Sequence, residues 1–219
     1  YGDSAHWLAR SRVLDPTYPP ALIDTVFALA LYGRYDDAMR VFEYTWNSEV
    51  RSPTAIIAGI IAGTLAEDYE RARAVVNDAP MPNGQKRIML EFINFEEGVS
   101  GVQPLVSQLE ENQASWPHYV FFVWMASRLG ADDLAIRALE QKIGAGGSIE
   151  TRMIWGPGHD FIEHAEFSRI AEAIGLNDYW KTTAGNDFCD IDGSSVNCKS
   201  PRPEDAPDSL DTLFATFNF

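Results

Sequence analysis

GRYDDAMRVFEYTW, residues 33–46, is the stretch whose reading decides the fold. Its skeleton is Gly33, Tyr35, Ala38 and Phe42. A step of 34 residues forward carries Tyr35 to Tyr69, Ala38 to Ala72 and Phe42 to Val76. The same step backward reaches Tyr1, Ser4 and Leu8. A period of that length is the mark of stacked helix pairs. Small residues at Ala38 and Ala72 let paired helices approach closely, and Phe42 and Val76 fill the space behind them. Gly33 and Asp68 mark the turns between helices. One pair cannot bury its apolar face alone, so neighbouring pairs must stack.

The Gly-x-Tyr-x-x-Ala-x-x-x-Phe pattern resembles the second half of a tetratricopeptide repeat. VLDPTYPPA, residues 13–21, is similar to the turn between such repeats, with Pro16 at its proline position. Two degenerate pairs follow. Lys86–Glu96 and Gly101–Glu111 form one, with Pro104 in a first helical turn, where proline is tolerated, and Leu105 at the small position. Trp116–Leu129 and Asp132–Ile143 form the other, with Gly130 between them and Ala135 at the small position. The resemblance implies an all-α, helical-hairpin superhelix of one half repeat and four full ones. The chain opens inside a repeat, so an upstream helix is expected. Without it the Tyr1–Leu14 helix is exposed or covered by another copy.

The 219 residues are 46% hydrophobic, enough for a continuous solenoid core. The formal net charge is -15, which repels a phosphate backbone or an anionic membrane surface. Acidic pairs such as Asp36-Asp37 and Asp132-Asp133 read as a solvated surface, with steering of a basic partner as the sharper alternative. The longest uncharged apolar run, Pro53 to Ala66, is too short for a bilayer, which needs about 20 residues. Membrane insertion is therefore not expected.

GAGGS, residues 144–148, ends the repeat pattern and reads as a helix stop. His159, Asp160, Glu163 and His164 suggest a metal site, but on a helix they form two pairs that point apart, and neither zinc-protease spacing is present. The simpler reading is a charged first turn before Phe167, Ile170, Ala171 and Ile174. Cys189 and Cys198 flank the turn-rich DIDGSSVN. A disulfide there is preferred to free thiols, and a metal site comes last because His164 is the nearest histidine in sequence. The order Gly175-Leu176, Tyr179-Trp180, Phe188-Cys189 and Cys198 resembles the end of tetratricopeptide modules in bacterial signalling proteins. Those carry a winged-helix DNA-binding domain or a class III adenylate cyclase domain. The resemblance implies a periplasmic module C-terminal to a membrane span, with a cytoplasmic one as the alternative. The expected segments are repeats over 1–146, a helical cap over 147–199, and a linker with an amphipathic tail over 200–219.

In this repeat class, first helices line the concave face. The inward positions are then Ile23, Phe27, Ile57, Ile61, Leu90, Asn94, Val120 and Trp124. The row is almost wholly apolar, which suits a groove for an amphipathic helix or extended peptide. Tight superhelical closure would instead make it core. The tail SLDTLFATFNF, residues 209–219, supplies a candidate ligand, with Leu210, Leu213, Phe214 and Phe217 at helical spacing and Asp208 or Ser209 as its cap. The expected function is a non-catalytic protein-interaction or sensory module. Its partner would be a protein or peptide, including its own tail over 208–219 or a second copy, and no nucleic acid, metal or cofactor is implied. A structural oligomerisation domain is the alternative, and a metal-dependent enzyme using the His159–His164 segment comes behind both.

Overall fold

A computed structural model of the chain describes residues 2–47, 52–112, 119–147, 161–176, 178, 180, 189–192 and 195–217. Their architecture is an all-α helical repeat. The helices are α1 (Gly2–Leu14), α2 (Pro19–Leu31), α3 (Tyr35–Asn47), α4 (Pro53–Leu65), α5 (Tyr69–Asp78), α6 (Asn83–Glu96), α7 (Val102–Asn112), α8 (Tyr119–Arg128), α9 (Asp132–Gly144), α10 (Phe167–Ala173) and α11 (Ser209–Phe214). Two strands, β1 (Cys189–Asp192) and β2 (Ser195–Cys198), form a short antiparallel hairpin. Among the described residues no helix is long and apolar enough to cross a membrane.

The chain forms two compact units. One comprises Tyr1–Gly101 and Arg202–Phe219; the other comprises Val102–Pro201. This grouping cuts across the expected segments 1–146, 147–199 and 200–219. Helix α6 belongs to the first unit and α7 to the second, so the expected pair is divided between them. The tail leaves the cap next to it in sequence and joins the repeats at the start of the chain.

In the first unit, α2–α3 and α4–α5 are hairpins closed by the same turn. After α2, Gly33 enters the left-handed region at φ 73°. Its N–H donates to the Ala30 carbonyl at 3.1 Å, and the Arg34 N–H donates to that of Leu29 at 3.0 Å. These two bonds satisfy carbonyls that a helix end leaves open. After α4 the Glu67 N–H donates to Thr64 and the Asp68 N–H to Gly63, at 3.2 and 2.9 Å. The equivalent of Gly33 is thus Glu67, a non-glycine residue at φ 59°, and not Asp68. Asp68 instead caps α5, its carboxylate accepting the Arg71 N–H at 3.0 Å. Gly98 and Gly130 repeat the turn after α6 and α8. Helix starts recur in the same register: Pro19 and Pro53 open α2 and α4, and Tyr35 and Tyr69 open α3 and α5. Tyr1 lies outside the described residues.

Close approach sets the packing within and between these hairpins. A Cβ built on Gly59 of α4 would stand 2.3 Å from the Phe42 ring of α3. One turn later, a Cβ on Gly63 would stand 3.2 Å from that of Ala72 on α5. Gly59 and Gly63 share one helix face, so α4 receives the Phe42 ring at one point and the α5 backbone at the next. Ala38 and Ala72 are fully buried, as the small-residue reading requires. Helices α2 and α4 are buried on nearly all faces, which follows from sequences apolar all round. The buried hydroxyls of Thr25 and Thr45 bond back to the Ala21 and Val41 carbonyls at 2.6 and 2.8 Å.

In the second unit α8 pairs with α9. Phe121, Phe122, Met125, Leu134, Ala135 and Leu139 are buried there, with Leu105 and Leu109 of α7. Leu105 occupies the position of Ala38 and Ala72 and is also buried. Helix α10 packs on α9 and on β2 and buries Phe167, Ile170 and Ala171. The turn-rich loop expected between the cysteines is the β1–β2 hairpin, in which Cys189 faces Cys198 and the two are joined by a disulfide. A bridge closing so small a loop contributes about 2–3 kcal/mol.

Two substitutions separate the roles of close approach and turn geometry. Gly59→Ala raises helix propensity yet is expected to destabilise the chain by more than about 1 kcal/mol, because the Phe42 ring must move. Glu67→Gly lowers propensity yet is expected to stabilise it by up to about 1 kcal/mol by relieving the left-handed side chain. Urea unfolding monitored by far-UV circular dichroism measures both; a stabilising Gly59→Ala would contradict the close approach.

Candidate functional site

The row expected to line an open groove lies largely in the interior. Ile23, Phe27, Ile57, Ile61, Val120 and Trp124 are buried, and Leu90 and Asn94 are half-buried. The Asn94 side-chain oxygen accepts from Arg73 Nη2 at 3.0 Å, and that guanidinium also meets Glu97. The Trp124 ring stacks on Phe121 with centroids 5.5 Å apart. The physical reason is the all-round hydrophobicity of α2, α4 and α8, which favours burial on every side.

The other sequence candidates divide. Cys189 and Cys198 are bridged and buried. His159 and Asp160 lie outside the described residues. Phe161–Glu163 is a single 3₁₀ turn, so the helical pairing expected of Glu163 does not apply. The Glu163 carboxylate instead accepts the Ser200 N–H at 2.9 Å. His164 Nδ1 accepts the Glu166 N–H at 3.2 Å, while Nε2 faces Asp133 at 3.5 Å. Among the described residues no group of three or more His, Cys, Asp or Glu side chains could hold a metal ion.

The tail has the most developed local chemistry. Helix α11 packs on α1 and α2 within the first unit, and Leu210, Leu213 and Phe217 are buried. Burying each contributes about 1.5–3 kcal/mol. Three arginines line the seat. Arg12 of α1, only 4% exposed, lies over the Phe217 ring at 4.1 Å and the Tyr44 ring at 5.2 Å. Tyr44 and Phe217 meet edge to face at 5.7 Å. Arg12 Nη1 donates to the Pro16 carbonyl, and its buried Nε has no hydrogen-bond partner. Among the described residues no carboxylate pairs with Arg12, so its charge is held by ring faces and one carbonyl. A desolvated cation over an aromatic face gains about 2 kcal/mol.

Arg34 and Arg40 serve the next aromatic along. Their guanidinium carbons stand 5.1 and 5.5 Å from the Phe214 ring centroid. Arg34 is fixed by Asp37, bonded from Nε and Nη2 at 2.9 and 2.7 Å. Its remaining Nη1 donates to Asp211 of the tail at 2.6 Å. The Asp211 side chain is 82% exposed, so water and salt screen that pair and it adds little to stability. Upstream, a Cβ on Gly33 would stand 2.9 Å from Pro203 Cγ, so the interhelix turn also receives the linker. Asp208 stands at the N-cap of α11 with no side-chain bond, contrary to the expected cap. The sequence signal for the seat was one arginine in an apolar stripe: Arg12 follows buried Ala5 and Ala9 on the same face of α1. Arg34, Arg40 and Tyr44 gave no such signal.

A second face of α1 is open. In the 34-residue register Ser4, Trp7, Leu8 and Ser11 correspond to Ala38, Val41, Phe42 and Thr45 of α3, all buried. On α1 Trp7 is 62% exposed, and Leu14 farther along is 80% exposed.

Phe217→Ala is expected to cost about 3 kcal/mol, since a buried ring is lost and Arg12 with it. The amides of residues 209–217 should then exchange hydrogen much faster, while those of α4 and α5 should slow or speed only with global stability. Unchanged exchange in the tail would show that the ring does not hold it. No family model, curated protein or solved structure matches the chain.

Proposed function

We propose that the chain is a non-catalytic protein-interaction or sensory module of tetratricopeptide type, part of a larger bacterial signalling or regulatory protein. One observation carries the reading: the repeats already hold an amphipathic segment, α11, by its apolar side chains. A helix of six residues is far below the length that is stable alone in water. Its order therefore comes from the surface beneath it, which is the property a helix-binding module needs. The proposal places binding on the α1–α3 face that seats the tail, not on the buried row from Ile23 to Trp124.

Selection of displayed helical peptides against the intact chain tests this. Enrichment of amphipathic sequences that bind with micromolar Kd is the expected outcome. A selection that yields no ligand, on the native chain and on Phe217→Ala alike, would sink the reading.

The proposed compartment is the periplasm. The Cys189–Cys198 bridge supports it, because disulfides persist in oxidising compartments, and so does the likeness of Gly175–Cys198 to signalling modules of that location. Thiols alkylated in intact cells before lysis provide the check. Both cysteines should escape labelling, read by the mass of the chain; labelling of both would overturn the compartment.

A further inference from the structure

We propose that the tail seat is the module's recognition site for a partner helix of one chemistry: an acidic residue followed by aromatic residues at the third and sixth positions after it, with the chain's own tail as a built-in competitor. The inference rests on the reading of the chain as an interaction module and names its site and ligand class.

The tail itself displays the code. Asp211 meets Arg34, Phe214 lies beneath Arg34 and Arg40, and Phe217 lies beneath Arg12 against Tyr44. Each element of the pattern is thus read by a separate arginine contact. The charge arrangement selects the ligand's sign. The chain carries a net -15, yet three guanidinium groups converge on this seat, and only Arg34 and Arg40 have Asp37 beside them. An acidic side chain on an incoming helix is attracted to these arginines, while the net negative charge of the chain opposes its approach in general. Leu210 and Leu213 fill the apolar floor and set the register of the aromatics.

The resident tail is built to yield. Its helix spans six residues, Asp208 at its cap makes no side-chain bond, and its ion pair to Arg34 is solvent-exposed at Asp211. The linker over 202–208 is mostly exposed. Its hold comes from a few side chains and from tethering, which supplies an effective concentration of about a millimolar. A partner therefore competes against the tether and against the seat of Leu210, Leu213 and Phe217.

The probe is a fluorescein-labelled peptide of residues 207–217, PDSLDTLFATF, titrated by anisotropy into the full chain. Binding to Phe217→Ala should be at least tenfold tighter than to the native chain, because the internal competitor is weakened. Asp211→Lys, at an exposed position and so without risk to the fold, should tighten it at least threefold. A peptide with lysine at the Asp211 position should bind about threefold more weakly to these variants, as an exposed pair allows, and Arg34→Glu in the chain should restore it. Equal affinity for native chain and both variants, or no rescue by Arg34→Glu, overturns the inference. If displayed peptides are still selected but map elsewhere, the interaction reading stands and this seat is refuted; if neither the probe nor the library binds, both fall.

Discussion

Phe42 can lie against α4 only because Gly59 has no side chain, and α5 can approach the same helix only because Gly63 and Ala72 are small. The first unit's hairpins depend on that approach. It lets α2 and α4 bury nearly every face, which sequences such as Pro53–Leu65 require, since they have no polar side to offer water. The interhelix turn has a left-handed residue and two fixed hydrogen bonds, repeated at Gly33, Glu67, Gly98 and Gly130. Glu67 keeps the geometry without glycine's freedom, so packing of the hairpin outweighs the local steric cost there.

The same constraint frames the tail. A solenoid built by repetition presents helix faces to its neighbours, and α1 packs on both α2 and α11. On α1 Ala5, Ala9 and Arg12 are buried and Arg12 meets the tail, while Trp7, in register with Val41, is exposed. Arg12 then replaces a hydrophobe in the stripe, and the rings of Tyr44 and Phe217 accept its charge. A buried cation without a carboxylate is tolerable because guanidinium is weakly hydrated and stacks on aromatic faces.

The repeat was legible because its physics is local and periodic. Small residues, turn residues and helix-opening prolines recur at 34-residue steps, and the helices followed from them with bounds shifted by a few residues, though Lys86–Glu96 and Gly101–Glu111 fall in different units. The cysteine bridge was legible because a short turn-rich loop brings its ends together. The seat was not, because it joins Arg12, Arg34, Arg40 and Tyr44 to the tail at the far end of the sequence, and no local pattern records such a pairing. The row from Ile23 to Trp124 was legible as apolar but not as buried, since an apolar stripe reads the same whether it lines a groove or fills a core.

Sequence alone determined the class of the fold, the period of its helices, the acidic character of the surface and the amphipathic character of the tail. These follow from residue type and spacing, which act over one or two helical turns. Tertiary structure decided which faces those elements share: that α6 and α7 fall in different units, that the expected groove positions are interior, and that the tail returns to α1 with three arginines around its aromatic rings. Contacts of that kind depend on chain closure over long separations, and their partners exist only once the hairpins have packed.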